Sequence, residues 1–307
     1  MQNQTKINKY LFNSNNFDLT VFSNDVKSPK AIVLIVHGMC EHIERYIDFM
    51  EFLKEHNILA IGYNQRGHYL GIEKEEDYGF LREKDGFGLL LSDLNNVYLN
   101  VKDKYPKTPI FIFGHSMGSF ITQRFIQIHN YKLAGVILSG TGRNPSLILN
   151  LGAFLTKLII LFKGPRYKSK FVIKLTFGSY NKKYKNRRTS VDWISSDPKE
   201  VDKYLADPWC GGAFSTAFFR DFYQLMSRVN KDNRLLQPLF PVIMLSGDMD
   251  PVGNYGKGVT KLYNIYKKKN IDVSMKLYPN ARHEILRDIS QDKAKADIIN
   301  FIEERIK

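Results

Sequence analysis

Six short apolar runs, separated by amphipathic segments, constrain the fold of this chain more than any other feature. The runs are rich in β-branched residues and flanked by turn residues, which is typical of strands buried in a parallel sheet. Because strands alternate with helical patterns, we expect a sheet covered on both faces. The predicted strands are Ala31–Val36, Ile58–Gly62, Ile110–Phe113, Leu133–Leu138, Val242–Leu245 and Val273–Tyr278, preceded by a hairpin of Lys9–Asn13 and Phe17–Phe22. The predicted helices are Ile43–His56, Gly86–Tyr105, Met117–His129, Tyr255–Lys269 and Ile289–Ile306.

One long interval, residues 141–237, interrupts this alternation. It contains no clear strand, only apolar and aromatic patches mixed with basic residues. An insertion of this length between two strands is typical of a lid, so we expect a catalytic core of residues 1–140 and 238–307 and a helical lid of residues 141–237. Apolar stretches at Leu147–Phe162 and Phe214–Leu225 are the lid segments that could line a lipophilic pocket. The candidate substrate-binding residues are Leu151, Phe154, Phe214 and Phe218.

The composition of the chain indicates a globular protein of a reducing compartment. With 307 residues, 43% of them apolar, the chain can bury a large core. Its two cysteines make no disulfide framework, and Met1–Tyr10 lacks the apolar centre of a signal peptide. The longest apolar stretch, Leu147–Phe162, is interrupted by Asn150 and Lys157 and is shorter than the roughly 20 residues of a membrane span. We therefore expect a cytoplasmic protein.

Positive charge is concentrated in the predicted lid. Residues 141–200 hold 13 Lys or Arg against three acidic residues, so most of the formal charge of +14 lies there. A basic region of this kind is compatible with a solvated face or with peripheral contact to an anionic inner membrane surface. No recognition motif accompanies it, so we expect no nucleic-acid binding. No feature of the sequence indicates an oligomeric state.

A candidate nucleophile follows the apolar run Phe111–Phe113. The next five residues read G-x-S-x-G and lead into a predicted helix. In this pattern the serine occupies a strained turn between strand and helix, and the glycines let neighbouring backbones approach closely. We predict that Ser116 is the nucleophile and that the Met117 N–H donates to a developing oxyanion, since it lies at a helix N-terminus. His115 adjoins the serine but should point away from it, which favours a structural role.

A serine hydroxyl needs a positioned base, commonly a histidine that is held by a carboxylate. After a G-x-S-x-G turn the chain order is serine, then acid, then histidine. Of the seven histidines, only His283 follows the lid and the later strands. Two carboxylates follow the strand Val242–Leu245, and only one can accept a hydrogen bond from His283. Asp250 is the first choice, and Asp248 is the alternative.

The loop after the first parallel strand is the candidate source of a second oxyanion donor. It places the backbone N–H of Met39 beside the expected position of Met117, and Gly38 lets the backbone bend close to the substrate. Three histidines of the N-terminal part, His37, His42 and His68, lack the nearby cysteine or carboxylate spacing of a zinc site. We therefore predict no metal site.

Four motifs carry a family resemblance when they are taken together. His37–Tyr46 is similar to an H-G-x-x-E-H-x-x-R-Y motif, and residues 114–118 match a G-H-S-M-G elbow. Gly247–Val252 resembles a G-x-x-D-x-V acid motif, which favours Asp250 over Asp248, and Arg282–Glu284 resembles a histidine loop. From about residue 13 to residue 306 the chain thus resembles the monoacylglycerol lipase and lysophospholipase branch of α/β-hydrolases, which overlaps with the serine aminopeptidase domain.

The resemblance implies an α/β-hydrolase fold and hydrolysis of an ester with one long acyl chain, a monoacylglycerol or a lysophospholipid. The reaction would pass through an acyl-enzyme and use no cofactor. One segment departs from the family pattern: D-x-R-G-H-G reads N-Q-R-G-H-Y at residues 64–69, which we expect to alter loop packing near the site. A serine aminopeptidase, a small-ester carboxylesterase, a thioesterase and a catalytically silent binding module remain alternatives. A peptidase would need an acidic anchor for a peptide N-terminus, and the candidates are Asp192, Asp197, Glu200, Asp202 and Asp207.

Overall fold

The computed structural model describes residues 7–306, so the first six residues of the polar segment Met1–Tyr10 lie outside the described residues. The strands of this part are β1 (Ile7–Ser14), β2 (Phe17–Asn24), β3 (Ala31–Val36), β4 (Ile58–Tyr63), β5 (Ile110–His115), β6 (Gly135–Ser139), β7 (Val242–Gly247) and β8 (Val273–Tyr278). They form one sheet in the spatial order β1-β2-β4-β3-β5-β6-β7-β8. Strand β2 pairs antiparallel with β1 and β4, whereas β4, β3, β5, β6, β7 and β8 run parallel.

The mostly parallel sheet that the sequence predicts is confirmed. Every residue of β3, β4 and β7 is buried, which explains their continuous apolar character. The strand ends differ from the prediction. Strand β5 continues through Gly114 and His115, which pair with Leu138 and Ser139 of β6. Backbone ladder bonds do not depend on apolar side chains, so hydropathy alone underestimates the strand.

Helices cover both faces of the sheet. Helices α1 and α9 pack on one face, and α2, α3 and α8 pack on the other. The predicted helix Ile43–His56 is divided into a single 3-10 turn, Ile43–Tyr46, and α1. The helices are α1 (Ile47–Glu55), α2 (Gly86–Lys104), α3 (Met117–Ile128), α4 (Ser146–Lys163), α5 (Lys170–Phe177), α6 (Pro198–Ala206), α7 (Thr216–Lys231), α8 (Lys257–Lys268) and α9 (Gln291–Glu303).

Helices α4, α5, α6 and α7 occupy the interval between β6 and β7, called the insert (residues 141–237) below. Helix α7 packs on α2 and α3 of the core, and α4 packs on α7. The contact on α4 is a narrow stripe at helical spacing, made by Leu149, Gly152, Ala153 and Thr156. A Cβ at Gly152 would stand 2.9 Å from the ring of Tyr223, so glycine lets the two helices approach closely. Helix α7 is therefore one attachment of the insert to the core, and hydrogen bonds such as Tyr204 to the Cys40 carbonyl supply others.

The outer face of α4 is apolar and exposed. Leu147, Leu161 and Phe162 are 82%, 75% and 80% exposed. By length and composition α4 could cross a membrane, with a mean hydropathy of 1.7 and 22% of its residues buried. It extends one residue beyond the predicted stretch at each end, and its length of about 27 Å is slightly less than the roughly 30 Å of a hydrocarbon core.

Candidate active site

The turn between β5 and α3 holds Ser116 in a strained backbone conformation. Its φ of 52° and ψ of −119° lie in a region that residues with a side chain rarely adopt. A Cβ at Gly114 would approach the Gly118 carbonyl oxygen to 2.7 Å, and one at Gly118 would overlap the Val36 carbonyl oxygen. The two glycines thus let the chain turn tightly against β3, which projects the serine from the edge of the sheet.

His283 and Asp250 meet beside this turn. His283 Nδ1 donates to Asp250 Oδ2 at 3.0 Å, and Asp250 is fully buried. The Val252 N–H donates to the second carboxylate oxygen at 2.8 Å. Asp248 instead accepts a 2.8 Å hydrogen bond from the Asn280 N–H and so braces the turn before the histidine. The structure therefore brings Asp250, and not Asp248, to His283.

Nε2, the other ring nitrogen of His283, is buried and lacks a hydrogen-bond partner within residues 7–306. Burial opposes a charge on the imidazole, but the charge and hydrogen bond of Asp250 outweigh it and raise the pKa of His283. Trp193 packs against the ring, with the centroids 5.1 Å apart. Ser116 and His283 border the same cavity. The ring is thus fixed by its Nδ1 bond and leaves Nε2 available for a proton.

Met39 and Met117 also border this cavity. The loop that carries Met39 is held by Glu41, whose Oε1 accepts the Gly38 N–H at 2.5 Å and the Tyr46 hydroxyl at 2.8 Å. A Cβ at Gly38 would stand 3.1 Å from the Cβ of Ser116, so the loop lies directly against the serine turn. Met39 and Met117, the candidate oxyanion donors, thus border the same cavity as the candidate nucleophile.

A buried ion cluster braces the same loop, and reasoning from residue types did not find it. Arg45 donates to both carboxylate oxygens of Glu284, at 2.8 and 2.7 Å, and to Glu41 at 3.0 Å. Burial raises the pKa of Glu284, but the guanidinium of Arg45 overcomes this and lowers it to about 2. The cluster ties the Glu41 loop to the residue after His283. The sequence contains the three charged residues, since Glu41 and Arg45 belong to the H-G-x-x-E-H-x-x-R-Y motif and Glu284 follows His283, but it does not show that they meet.

Two further buried histidines remain neutral and support the site. Burial and the neighbouring His283 lower the pKa of His115 to about 3, and its Nδ1 lies 3.1 Å from the Ser139 hydroxyl. His37 Nε2 accepts the Gln65 N–H at 3.0 Å, and the Gln65 side chain donates back to the His37 carbonyl at 2.7 Å. These contacts agree with the structural role expected for His115 and give His37 a structural role as well.

The segment that departs from the family motif packs against the same loop. Asn64 accepts the Ile43 N–H at 3.0 Å and donates to Glu44 at 3.0 Å. Tyr69 has a φ of 37° at a position where glycine would be unstrained, and its ring lies against His42, with the centroids 4.9 Å apart. The substituted residues thus make contacts of their own.

His42 lies close to two other side chains of types that bind metal ions, although the sequence indicated no metal site. Ligand atoms of His42, Asp207 and Cys210 lie within 4.8 Å of one another. His42 already bonds to Asp207 through Nε2 at 2.7 Å and to Glu44 through Nδ1 at 3.0 Å. Asp207 and Cys210 come from the insert, so sequence spacing could not place them there. These are the residues that could hold a metal ion, and the hydrogen bonds already satisfy both ring nitrogens.

The cavity has a volume of about 480 Å³ and extends from Ser116 between the insert helices. Leu151 borders it, as expected. Phe154 points to solvent and is 57% exposed, and Phe214 and Phe218 are buried against His68 rather than bordering the cavity. The prediction for these three residues is therefore corrected. Apolar residues that do border the cavity are Ile148, Leu149, Leu155, Leu175, Phe177, Phe222 and Met226.

Comparison with known proteins identifies the family. A family model described as serine aminopeptidase matches residues 27–290. A monoglyceride lipase homolog of Monkeypox virus is 23% identical over 95% of both chains, and human monoglyceride lipase is 24% identical over 86% of this chain and 78% of its own. Among solved structures, a carboxyl esterase from Bacillus coagulans in complex with glycerol has a TM-score of 0.90 at 27% identity and covers 99% of this chain and 100% of its own.

A soluble variant of the Saccharomyces cerevisiae monoglyceride lipase in complex with a substrate analog has a TM-score of 0.78 at 20% identity, covering 99% of this chain and 97% of its own. At this identity the likeness supports the fold, and the sequence relatives support the activity. The chain belongs to the serine aminopeptidase family of α/β-hydrolases, and it is a serine hydrolase that cleaves carboxylic esters.

Proposed function

We propose that the protein hydrolyses esters of a single long acyl chain, a monoacylglycerol or a lysophospholipid, through an acyl-enzyme on Ser116. The observation that carries this proposal is the unpartnered Nε2 of a buried, Asp250-bound His283, which borders the same cavity as Ser116 and the apolar side chains of the insert. An acyl chain would lie among the apolar side chains of the insert, which in this proposal acts as a lid (residues 141–237) over the core (residues 1–140 and 238–307).

The reaction would have two steps, acylation and deacylation of Ser116, and both would use the same groups. His283 takes the proton of Ser116 as the hydroxyl attacks the ester carbonyl, and Asp250 fixes the ring tautomer and stabilises the imidazolium. The N–H groups of Met39 and Met117 donate to the oxyanion. His283 then protonates the leaving alcohol, and a water molecule repeats the sequence to release the fatty acid.

The charges of the cavity disfavour the peptidase alternative. An aminopeptidase site needs a free carboxylate for the substrate ammonium group, yet the acidic residues that border this cavity, Glu41 and Glu284, both accept hydrogen bonds from Arg45. None of the five acidic candidates in the insert borders the cavity; Asp192, for example, accepts the backbone N–H groups of Arg188 and Thr189.

Hydrolysis of a matched substrate panel tests this proposal. The panel holds a monoacylglycerol, a lysophosphatidylcholine, short p-nitrophenyl esters and an aminoacyl amide, each with wild type and Ser116→Ala. We expect the long single-chain esters to have the highest kcat/KM, and Ser116→Ala to lower turnover by about four or more orders of magnitude. Asn150→Ala, on an exposed position of α4, serves as a matched control. Cleavage of the amide alone would contradict the proposal.

We further propose that the insert docks on an anionic membrane surface from the cytoplasmic side. The apolar outer face of α4 includes Leu147 and Phe162, and exposed lysines lie on α4, in the segment that follows it and on α5. Each basic residue near an anionic surface contributes about 1 kcal/mol, and insertion of an apolar side chain contributes about 1.5–3 kcal/mol. Two free cysteines, Cys40 and Cys210, accord with a reducing compartment. The basic residues are Lys157, Lys163, Lys168, Lys170 and Lys174.

Vesicle flotation tests the docking. Phe162→Ser should lower binding to vesicles that contain phosphatidylglycerol by about tenfold or more, because an 80% exposed apolar side chain no longer enters the bilayer. Ile289→Ser is the control, since Ile289 is 65% exposed but lies outside the insert. Equal effects of the two substitutions, or binding that ignores salt and anionic lipid content, would contradict the docking.

A further inference from the structure

One side of the active-site cavity is lined by hydrogen-bond donors rather than by apolar groups. Arg143 and Asn144 come from the loop between β6 and α4, Asn254 comes from the loop after β7, and Lys261 comes from α8. Three separate parts of the chain thus bring guanidinium, ammonium and amide groups to one wall. Apolar residues of the insert, such as Leu149 and Leu155, border the same cavity.

The Arg143 side chain is partly buried, and one of its guanidinium nitrogens has no protein partner. Its Nη1 is buried and makes no hydrogen bond within residues 7–306. Burial lowers the pKa of its guanidinium, with no acidic neighbour to offset it. A buried guanidinium nitrogen without an acceptor is unfavourable, because the lost hydration is not replaced.

The carboxylates in and beside the cavity have hydrogen-bond partners other than Arg143. The two carboxylates that border the cavity, Glu41 and Glu284, both accept hydrogen bonds from Arg45, and Asp250 accepts one from His283. Neither Arg143 nor Lys261 forms an ion pair with a carboxylate among residues 7–306, so the positive charge of this wall is not neutralised by direct contact. An anion in the cavity would find its strongest attraction there.

The donor wall is close to the reacting groups. A Cβ at Gly140 would stand 2.8 Å from Cε1 of His283, and Arg143 follows only three residues later, a backbone span of at most roughly 10 Å. The Arg143 N–H donates to the Gly258 carbonyl at 3.1 Å, which fixes its backbone to the start of α8, one turn before Lys261. The wall is thus within the dimensions of a single small substrate.

We propose that this wall is an anion subsite, so that the preferred substrates are single-chain esters that also carry a phosphate or a carboxylate. The inference rests on the proposed function and specifies its substrate class. Two phosphate oxygens would each accept an N–H group of Arg143 in a fork, and the exposed Lys261 would add a point charge at the mouth of the cavity. Neutral monoacylglycerols leave these donors unpaired.

Kinetics with paired monomeric substrates test the subsite. Lauroyl glycerol, lauroyl glycerol phosphate and lauroyl glycerate differ in the anionic group, and the ratio of kcat/KM for each anionic ester to that for the neutral ester is the readout. In Arg143→Met we expect the ratio for the preferred anion to fall about 10- to 100-fold, because a charge-assisted hydrogen bond is lost. Lys261→Met should lower it several-fold. The larger fall, for phosphate or for carboxylate, identifies the anion.

Lys257→Met is the matched control. Lys257 is exposed on the same helix one turn earlier and is not among the residues that border the cavity, so the ratio should not change. Calorimetry with the inactive Ser116→Ala protein supplies a second readout, in which lauroyl glycerol phosphate binds more tightly than lauroyl glycerol only while Arg143 is present.

An unchanged ratio in Arg143→Met would overturn the anion subsite, as would an equal loss on neutral and anionic esters. Weaker binding to anionic vesicles with an unchanged ratio would also overturn it, since Arg143 would then meet lipid headgroups. Absence of turnover of every ester by the wild-type protein would instead overturn the proposed function, so the two failures are distinguishable.

Discussion

Removal of the Arg45 guanidinium should destabilise the fold strongly. The side chain is 9% exposed and donates three hydrogen bonds to Glu41 and Glu284, whose side chains are 4% and 8% exposed. Arg45→Met leaves both carboxylates buried without a cation. Loss of one partner of a buried pair costs about 3–5 kcal/mol.

The acid stability of the wild-type protein gives a second measure of the same cluster. The pKa of Glu284 is about 2 in the folded protein, whereas its ordinary value is 4.5. This difference in pKa corresponds to about 3 kcal/mol in the free energy of unfolding. Because the folded pKa is lowered, this stabilisation is present above pH 4.5 and is lost as the pH falls towards 2.

Urea unfolding at pH 7, followed by circular dichroism, measures the effect. Arg45→Met should lower the free energy of unfolding by about 3–5 kcal/mol, and the double variant Arg45→Met/Glu284→Gln should recover part of the loss because one unpaired charge is removed. Arg82→Met is the control, since the Arg82–Asp85 pair is 43% and 61% exposed and contributes about 1 kcal/mol or less. A loss below about 1 kcal/mol in Arg45→Met would contradict a stabilising role for the buried ion cluster.

Three further changes have defined outcomes. Asp250→Asn should lower kcat by about four orders of magnitude because it removes the acceptor for His283 Nδ1, whereas Asp248→Asn should retain most activity; assays of both variants at equal folded concentration compare them. The raised pKa of His283 predicts that kcat/KM increases with pH through a midpoint above 6.5, since the base must be neutral, and a midpoint below 6 would contradict this. Gly118→Ala should abolish activity or folding because its methyl group overlaps the Val36 carbonyl oxygen, which expression and thermal melting would reveal.

The core of the fold was predictable because it depends on local patterns. Strand and helix periodicity located the sheet, and the turn at Ser116 has a sequence signature of its own. The position of His283 followed from chain order, although its partner could not be chosen from residue types alone. Both Asp248 and Asp250 end the same strand, and only the path of the chain after β7 decides which one faces the imidazole.

The interior of the insert was not predictable in the same way. Phe218 and Phe222 lie one turn apart on α7, yet Phe218 packs into the core and Phe222 borders the cavity. Helical periodicity predicts which residues share a face of the helix, but it does not predict which element that face packs against. Contacts between distant segments, such as Arg45 with Glu284 and His42 with Asp207, depend on how the insert returns to the core.

The pairing of β6 with β7 has a consequence for the order of folding. Val136 pairs with Val242, so a segment of more than 100 residues must be closed before this ladder forms. The entropy of closing a loop grows only logarithmically, by about 0.6 kcal/mol per doubling of length, so the long segment affects stability little. It delays folding more, because contacts of high sequence separation form slowly. During synthesis, Ser116 emerges well before Asp250 and His283, and the nascent chain therefore remains inert until the segment that carries His283 leaves the ribosome.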